Sequence, residues 1–66
     1  MKNNLRIQRA IMNITQAELA EKIHVSRQTI NSIESGKYTP STVLALKMAR
    51  VFGVPVCEIF SLEEGD

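Results

Sequence analysis

Residues 15–36 read TQAELAEKIHVSRQTINSIESG, and the fold turns on how this stretch is punctuated. Thr15 is followed three residues later by Glu18, the pair that makes a capping box: each side chain satisfies a backbone donor of the other at a helix start. Ile14 and Leu19 stand at N′ and N4 of that helix, the positions of a hydrophobic staple. Ser26 repeats the device, with Val25 and Ile30 at the staple positions. Gly36 follows, where a left-handed residue closes a helix without a Cβ penalty. The spacing predicts one helix from Gln16 to about Ile23 and a second from Arg27 to about Ser35. Leu19, Ala20 and Ile23 form the inner face of the first, and Ile30 and Ile33 that of the second, with Val25 beneath. His24 and Val25 make the turn, and the histidine occupies a position where glycine would be comfortable, so a positive φ is expected there.

Outward from this pair, Asn3 or Asn4 is placed to cap a helix running to about Met12, with Leu5, Ala10, Ile7 and Ile11 as its apolar stripe. Arg6 and Arg9 lie three apart and share a face. After Gly36, Lys37-Tyr38-Thr39-Pro40 reads as a loop, the proline holding Thr39 extended. A fourth helix opens at Pro40-Ser41-Thr42 and runs to about Phe52, with Gly53 closing it. A short fifth helix is expected over Val56–Phe60. The residues Val54, Val56, Ile59, Phe60 and Leu62 are more apolar surface than one terminal turn buries alone, so part of it is expected to face a second copy. The acidic end, Glu63 to Asp66, is expected to fray. The fold class is therefore all-α, a compact five-helix domain over residues 1–66.

A chain of 66 residues sits near the size where one core leaves only about 3–5 kcal/mol of net stability. Cys57 is its single cysteine, so a disulfide within the chain is excluded and a reducing, cytoplasmic setting fits. His24 and Cys57 fall short of the four ligands of a structural zinc site, and no metal or cofactor is expected. The N-terminus has no apolar signal region, and no apolar run approaches the ~20 residues of a membrane span.

Net charge is only +1, but it is unevenly spread. Lys2, Arg6, Arg9, Lys22, Arg27 and Lys37 outnumber Glu18, Glu21 and Glu34 in residues 1–40, whereas the remainder is acidic. The basic half coincides with the paired helices, as a polyanion partner requires; ordinary surface scatter accounts for the same charges equally well. The outer face of the helix after Ser26 says more. It carries Arg27, Gln28, Asn31 and Ser32, with Thr29 at its flank, where a plain solvated helix would carry Glu and Lys. Arginine bridges guanine O6 and N7, and Gln28 or Asn31 pairs with adenine N6 and N7. Lys37, Tyr38 and Thr39 offer a charge and two hydroxyls suited to phosphate. Glu34, near a helix C-terminus that disfavours an acid, needs a cationic partner, and Arg9 is the candidate. There is no Ser-His-acid set, metal cluster or phosphate-cradling glycine loop, so no enzyme is read here.

Two capped helices joined by a tight turn look like a helix-turn-helix over residues 15–35. The chain resembles the phage-repressor and Cro-like helix-turn-helix family, also called the xenobiotic-response-element group. The match rests on Gln16, Leu19, Ala20, Val25, Ser26, Ile30, Glu34 and Gly36, then Pro40, Leu46, Ala49, Phe52, Val54 and Ile59-Phe60. The VSRQTI segment, the KYTP loop and the length look most like small stand-alone bacterial repressors of the cytolysin-regulator type. The resemblance implies a lambda-repressor-like five-helix domain that binds double-stranded operator DNA as a two-fold dimer. It implies base reading by Arg27, Gln28, Asn31, Ser32 and Thr39, and backbone contacts by Gln16, Ser26, Lys37 and Tyr38. It also implies an ion pair between Arg9 and Glu34. His24 departs from the glycine that many members carry in the turn.

The expectation is thus a homodimeric repressor of a palindromic operator, with Val54, Val56, Ile59, Phe60 and Leu62 as the dimer surface and no small-molecule effector. The alternative is an antitoxin-like module that uses the same apolar surface on another protein and also binds DNA.

Overall fold

The computed structural model describes all 66 residues. In chain order these form β1 (Lys2–Asn3), α1 (Leu5–Met12), α2 (Gln16–Ile23), α3 (Arg27–Glu34), α4 (Thr42–Phe52), a 3₁₀ turn (Val56–Glu58) and β2 (Phe60–Ser61). The starts of three helices are written in single side chains. Thr15, Ser26 and Ser41 each accept, through the hydroxyl, the backbone N–H three residues on. The Glu18 carboxylate returns to the Thr15 N–H at 2.9 Å, completing the capping box. At α1 the arrangement differs: Asn4 is the cap residue, but it is the Asn3 side chain that accepts from Leu5 N–H, at 3.2 Å.

The helix ends share one device. Asn13, His24, Gly36 and Gly53 all have positive φ, from 56° to 80°. After α1, α2 and α3 the next residue's N–H reaches back to a carbonyl five residues earlier, Ile14 to Arg9, Val25 to Ala20 and Lys37 to Ser32. This is the Schellman pattern, which satisfies carbonyls that an ending helix would leave unpaired. His24, at φ 60°, is left-handed without the freedom of glycine.

Leu5, Leu19, Ala20, Ile23, Ile30, Ile33, Leu44, Met48, Ile59 and Phe60 form one buried core, with Val25, Ala45, Ala49, Val51, Phe52, Val54 and Val56 packed around it. The inner faces expected of α2 and α3 are the buried ones. That of α1 is not. Ile7 and Ile11 are 59% and 72% exposed, and Ala10 is exposed as well. The side of α1 that turns inward instead runs from Leu5 through the partly buried Gln8 and Arg9. A helix of eight residues can carry a partly buried arginine on its inner face where an acid waits for it, and hydrophobicity alone does not reveal that face.

Two further expectations are corrected at the C-terminal end. The fifth helix is only a 3₁₀ turn, and the chain then pairs antiparallel with its own start, Lys2 opposite Ser61 and Asn3 opposite Phe60. The fold is therefore four α-helices with a two-stranded ribbon, not five helices and not all-α. Asn4 N–H donates to the Ile59 carbonyl at 2.9 Å, extending the register. Because β1 supplies the backbone partners, Ile59 and Phe60 swing inward and are only 2% and 8% exposed within a single chain. These two side chains need no second copy to be covered, whereas Leu62 is 79% exposed. The acidic end, expected to fray, lies against the start of the chain. The Met1 ammonium lies 3.3 Å from Glu63 Oε1 and 3.1 Å from Asp66 Oδ2, and Asp66 Oδ2 caps the Glu63 N–H at 2.7 Å.

Candidate nucleic-acid interface

α3 is held by its inner face, where Ile30 and Ile33 are buried, and by its two ends. At the start, Ser26 Oγ accepts from Thr29 N–H at 3.1 Å and shares a 2.9 Å hydrogen bond with the Thr29 hydroxyl. Thr29 is thereby half-buried at the flank, and Arg27, Gln28 and Asn31 are left exposed. Ser32, on the same side as Gln28, is only half-exposed. Its carbonyl accepts from Lys37 N–H at 2.9 Å and from Tyr38 N–H at 3.2 Å. That turn, made possible by Gly36 at φ 80°, throws Lys37, Tyr38 and Thr39 outward beside the end of α3, and all three are exposed.

At the other end stands Glu34, whose side chain is 1% exposed. Arg9 from α1 grips it as a fork: Nε donates to Oε2 and Nη2 to Oε1, the latter at 3.1 Å. The remaining arm, Nη1, donates to the Ile14 carbonyl at 3.0 Å, in the link between α1 and α2. Such bidentate, charge-assisted pairs are roughly twice as strong as neutral hydrogen bonds. Gln16, the first residue of α2, adds a third donor to Oε1 at 3.2 Å. Arg6, largely exposed, brings its guanidinium to 3.8 Å. Burial pushes the Glu34 carboxyl up, but hydrogen bonds from Arg9 and Gln16, with the charges of Arg9 and Arg6, outweigh it and hold its pKa below the ordinary glutamate value. The hydrogen bond to Glu34 raises the pKa of Arg9 against the opposing effect of burial. One carboxylate thus ties α1, α2 and α3 together.

Asn3 makes a second tie: its Nδ2 donates to the Ile33 carbonyl at 2.9 Å, so the first strand also braces the end of α3. Beside the α2 start lies an open cleft of about 480 Å³, lined by Arg9, Asn13, Thr15, Gln16 and Arg27 among others. Arg27, Gln28, Asn31 and Gln16 therefore sit together on one side with Lys37, Tyr38 and Thr39 at the far end of the same helix. Of the C-terminal apolar residues, Phe60 lines a small cleft with Tyr38 and Thr39, and Val56 and Phe60 line another with Thr39 and Leu46. Sequence reasoning overlooked Asn3 as a brace, Asn13 in the cleft, and the contact of Gln16 with Asn31. That contact joins residues fifteen apart on different helices, and no local pattern announces it.

No helix is long and apolar enough to cross a membrane, and no group of three or more His, Cys, Asp or Glu side chains is placed to hold a metal ion. Residues 5–59 match the family model described as helix-turn-helix. The chain is 53% identical over 66 residues to an uncharacterized HTH-type transcriptional regulator of Methanocaldococcus jannaschii, covering 100% of both. It is 42% identical over 64 residues to an uncharacterized HTH-type transcriptional regulator of Bacillus subtilis, covering 97% of both. It is 40% identical over 52 residues to an HTH-type transcriptional activator of Enterococcus faecalis, a match that takes in 79% of this chain and 26% of that protein. An α3 presented on a braced scaffold, a family match over most of the chain and two relatives matched over nearly their whole length lead to one assignment. The chain belongs to the helix-turn-helix family, as a small DNA-binding transcription regulator of the phage-repressor and xenobiotic-response-element type.

Proposed function

We propose that this protein is a homodimeric repressor that lays α3 in the major groove of a palindromic operator and occludes a promoter. The observation that carries the reading is the outer face of α3, where Arg27, Gln28 and Asn31 are exposed while Ile30 and Ile33 anchor the opposite side. Arg27 reads guanine through O6 and N7, and Gln28 reads adenine through N6 and N7, with Asn31, Ser32 and Thr39 completing the base contacts. Gln16, Ser26, Lys37 and Tyr38 contact the backbone and set the register.

An eight-residue helix reaches only a few base pairs, whereas specific complexes bury roughly 1,000–2,500 Å² of protein surface. Two copies with half-sites about one helical turn apart (~34 Å) meet that requirement. The dimer surface is the Val54–Leu62 end. Since Ile59 and Phe60 already lie in the core, its contacting part is Val56 and Leu62, continued by Leu46, which is 57% exposed on α4.

The test is selection of bound sequences from random DNA at stated salt, together with the protein's mass in solution. A palindromic consensus bound by two copies is expected. Gln28→Ala costs about 1–3 kcal/mol and relaxes preference at one base pair, while Lys37→Ala weakens binding to all sequences alike and lowers the salt slope by about one. Equal weakening on all DNA by both variants refutes the division into base reader and backbone anchor. A stable complex with a second protein through the Val54–Leu62 surface, and no homodimer, would favour the antitoxin-like module instead.

A further inference from the structure

Asn31 sits in the middle of the outer face of α3, and its side-chain oxygen has a partner within the chain. Gln16 Nε2 lies 3.2 Å from Glu34 Oε1 and 3.4 Å from Asn31 Oδ1. The chemistry of Glu34 decides which way round these amides stand. An ionised carboxylate only accepts, so the Gln16 atom that faces it must be the nitrogen. That nitrogen carries two hydrogens. The second is directed at Asn31, so the Asn31 atom that faces Gln16 must be the oxygen. The Asn31 nitrogen is then the end of the amide left without a partner in the chain.

We propose, resting on the base-reading role of α3, that Gln16 is a positioning residue that fixes Asn31 as a hydrogen-bond donor towards DNA. The base opposite Asn31 is accordingly one that offers acceptors in the major groove, guanine through O6 and N7 or thymine through O4. Cytosine, which offers only the N4 donor there, is rejected. Adenine is disfavoured, because its bidentate pairing uses both the oxygen and the nitrogen of an amide and the oxygen is held by Gln16. Gln16 has both amide hydrogens engaged in this arrangement, so its own contribution to a phosphate comes from the backbone N–H at the start of α2, which has no partner within the helix. The chain of contacts Arg9, Glu34, Gln16, Asn31 thus carries the orientation of α1 and α2 to one base-reading side chain on α3.

The experiment is selection from random DNA with the wild-type protein, Gln16→Ala, Asn31→Ala and Asn31→Asp, each checked for folding by its melting curve. Wild type is expected to prefer guanine or thymine over cytosine at one pair of each half-site by about tenfold or more, the size of a specific base contact. Asn31→Ala levels that pair to within about threefold. Gln16→Ala levels the same pair, or admits adenine there, and leaves the pairs read by Arg27 and Gln28 unchanged. Asn31→Asp keeps an oxygen for Gln16 and turns an acceptor outward, so the preference at that pair moves to cytosine. This variant tests the proposal independently should Gln16→Ala unfold. The proposal is overturned if Gln16→Ala weakens all sequences equally with the Asn31 pair still discriminated, or if Asn31→Asp keeps the wild-type base. A wild type with no consensus at all overturns the base-reading role itself, an outcome distinct from a clear consensus indifferent to Gln16.

Discussion

Arg9→Lys keeps the positive charge and removes the fork, and so asks whether geometry or charge alone holds α1 to α3. Arg9 donates three hydrogen bonds, two to Glu34 and one to the Ile14 carbonyl. A lysine ammonium is a compact point charge on a flexible stem and cannot span the two carboxylate oxygens and the carbonyl together. Two bonds are lost, one of them to a carboxylate whose side chain is 1% exposed. At a net ~1 kcal/mol for an ordinary hydrogen bond and ~1.5–3 for one to a charged group, the loss comes to about 2.5–4 kcal/mol. In a domain of this size each kcal/mol moves the melting temperature by about 4–8 °C, so a drop of roughly 10–30 °C is expected. Thermal unfolding by circular dichroism at pH 7 measures it, with Arg50→Lys as the control, since Arg50 is exposed and no ion pair is formed there. If Arg9→Lys melts within 3 °C of the wild type, the fork is not what holds the helices, and the account of how α3 is braced fails.

Other perturbations probe separate links. His24→Gly removes a left-handed strain of about 1–2 kcal/mol at φ 60° and adds some unfolded-state entropy, so a net gain of roughly 0.5–1 kcal/mol is expected in urea unfolding. Thr15→Ala removes one half of the capping box and costs ~1 kcal/mol by the same measurement. The Glu34 carboxyl, followed by carbon NMR, is expected to titrate below the ~4.3 of a free glutamate. Since its folded pKa is depressed, its stabilising contribution is complete above the unfolded value and is lost as pH falls through the folded one. Unfolding free energy is therefore expected to decline in that acid window, and a midpoint above 4.3 contradicts the assignment.

What could be read in advance was what the chain writes locally. Thr15, Glu18, Ser26 and Ser41 act within three residues of themselves, so the starts of α2, α3 and α4 follow from spacing alone. The buried faces of α2 and α3 follow likewise, because their apolar residues recur at helical intervals without a competing stripe. α1 misled because its apolar residues, Ile7 and Ile11, face out and its decisive inward residue is Arg9. A charged residue is assigned inward only when its partner is known, and Glu34 is twenty-five positions away. The β1–β2 ribbon was invisible for the same reason: two residues at each end hold no alternating pattern, and their pairing depends on closing nearly the whole chain. The expectation of a fifth helix with a surplus apolar face followed from treating Ile59 and Phe60 as local. At the candidate site, the polar outer face of α3 was legible from side-chain type, but the contact of Asn31 with Gln16 joins two helices through Glu34 and was not.

The ribbon also separates two time scales of folding. Every helix of the domain is eight to eleven residues long, too short to persist alone in water, so α1 to α4 gain their order together, largely through contacts between near neighbours in sequence. Chains dominated by such local contacts fold in microseconds to milliseconds. The pairing of Lys2 with Ser61 requires closing a loop of nearly the whole chain, and the entropic cost of that closure places it late in folding and early in opening. When it opens, Asn3 leaves the Ile33 carbonyl and Ile59 loses its cover, while the four-helix frame still stands. Hydrogen exchange is thus expected to find a partly opened species, with the Asn4 amide, which donates to the Ile59 carbonyl, exchanging ahead of those in α2. In that species the far end of α3 is loosened by an event at the two ends of the chain.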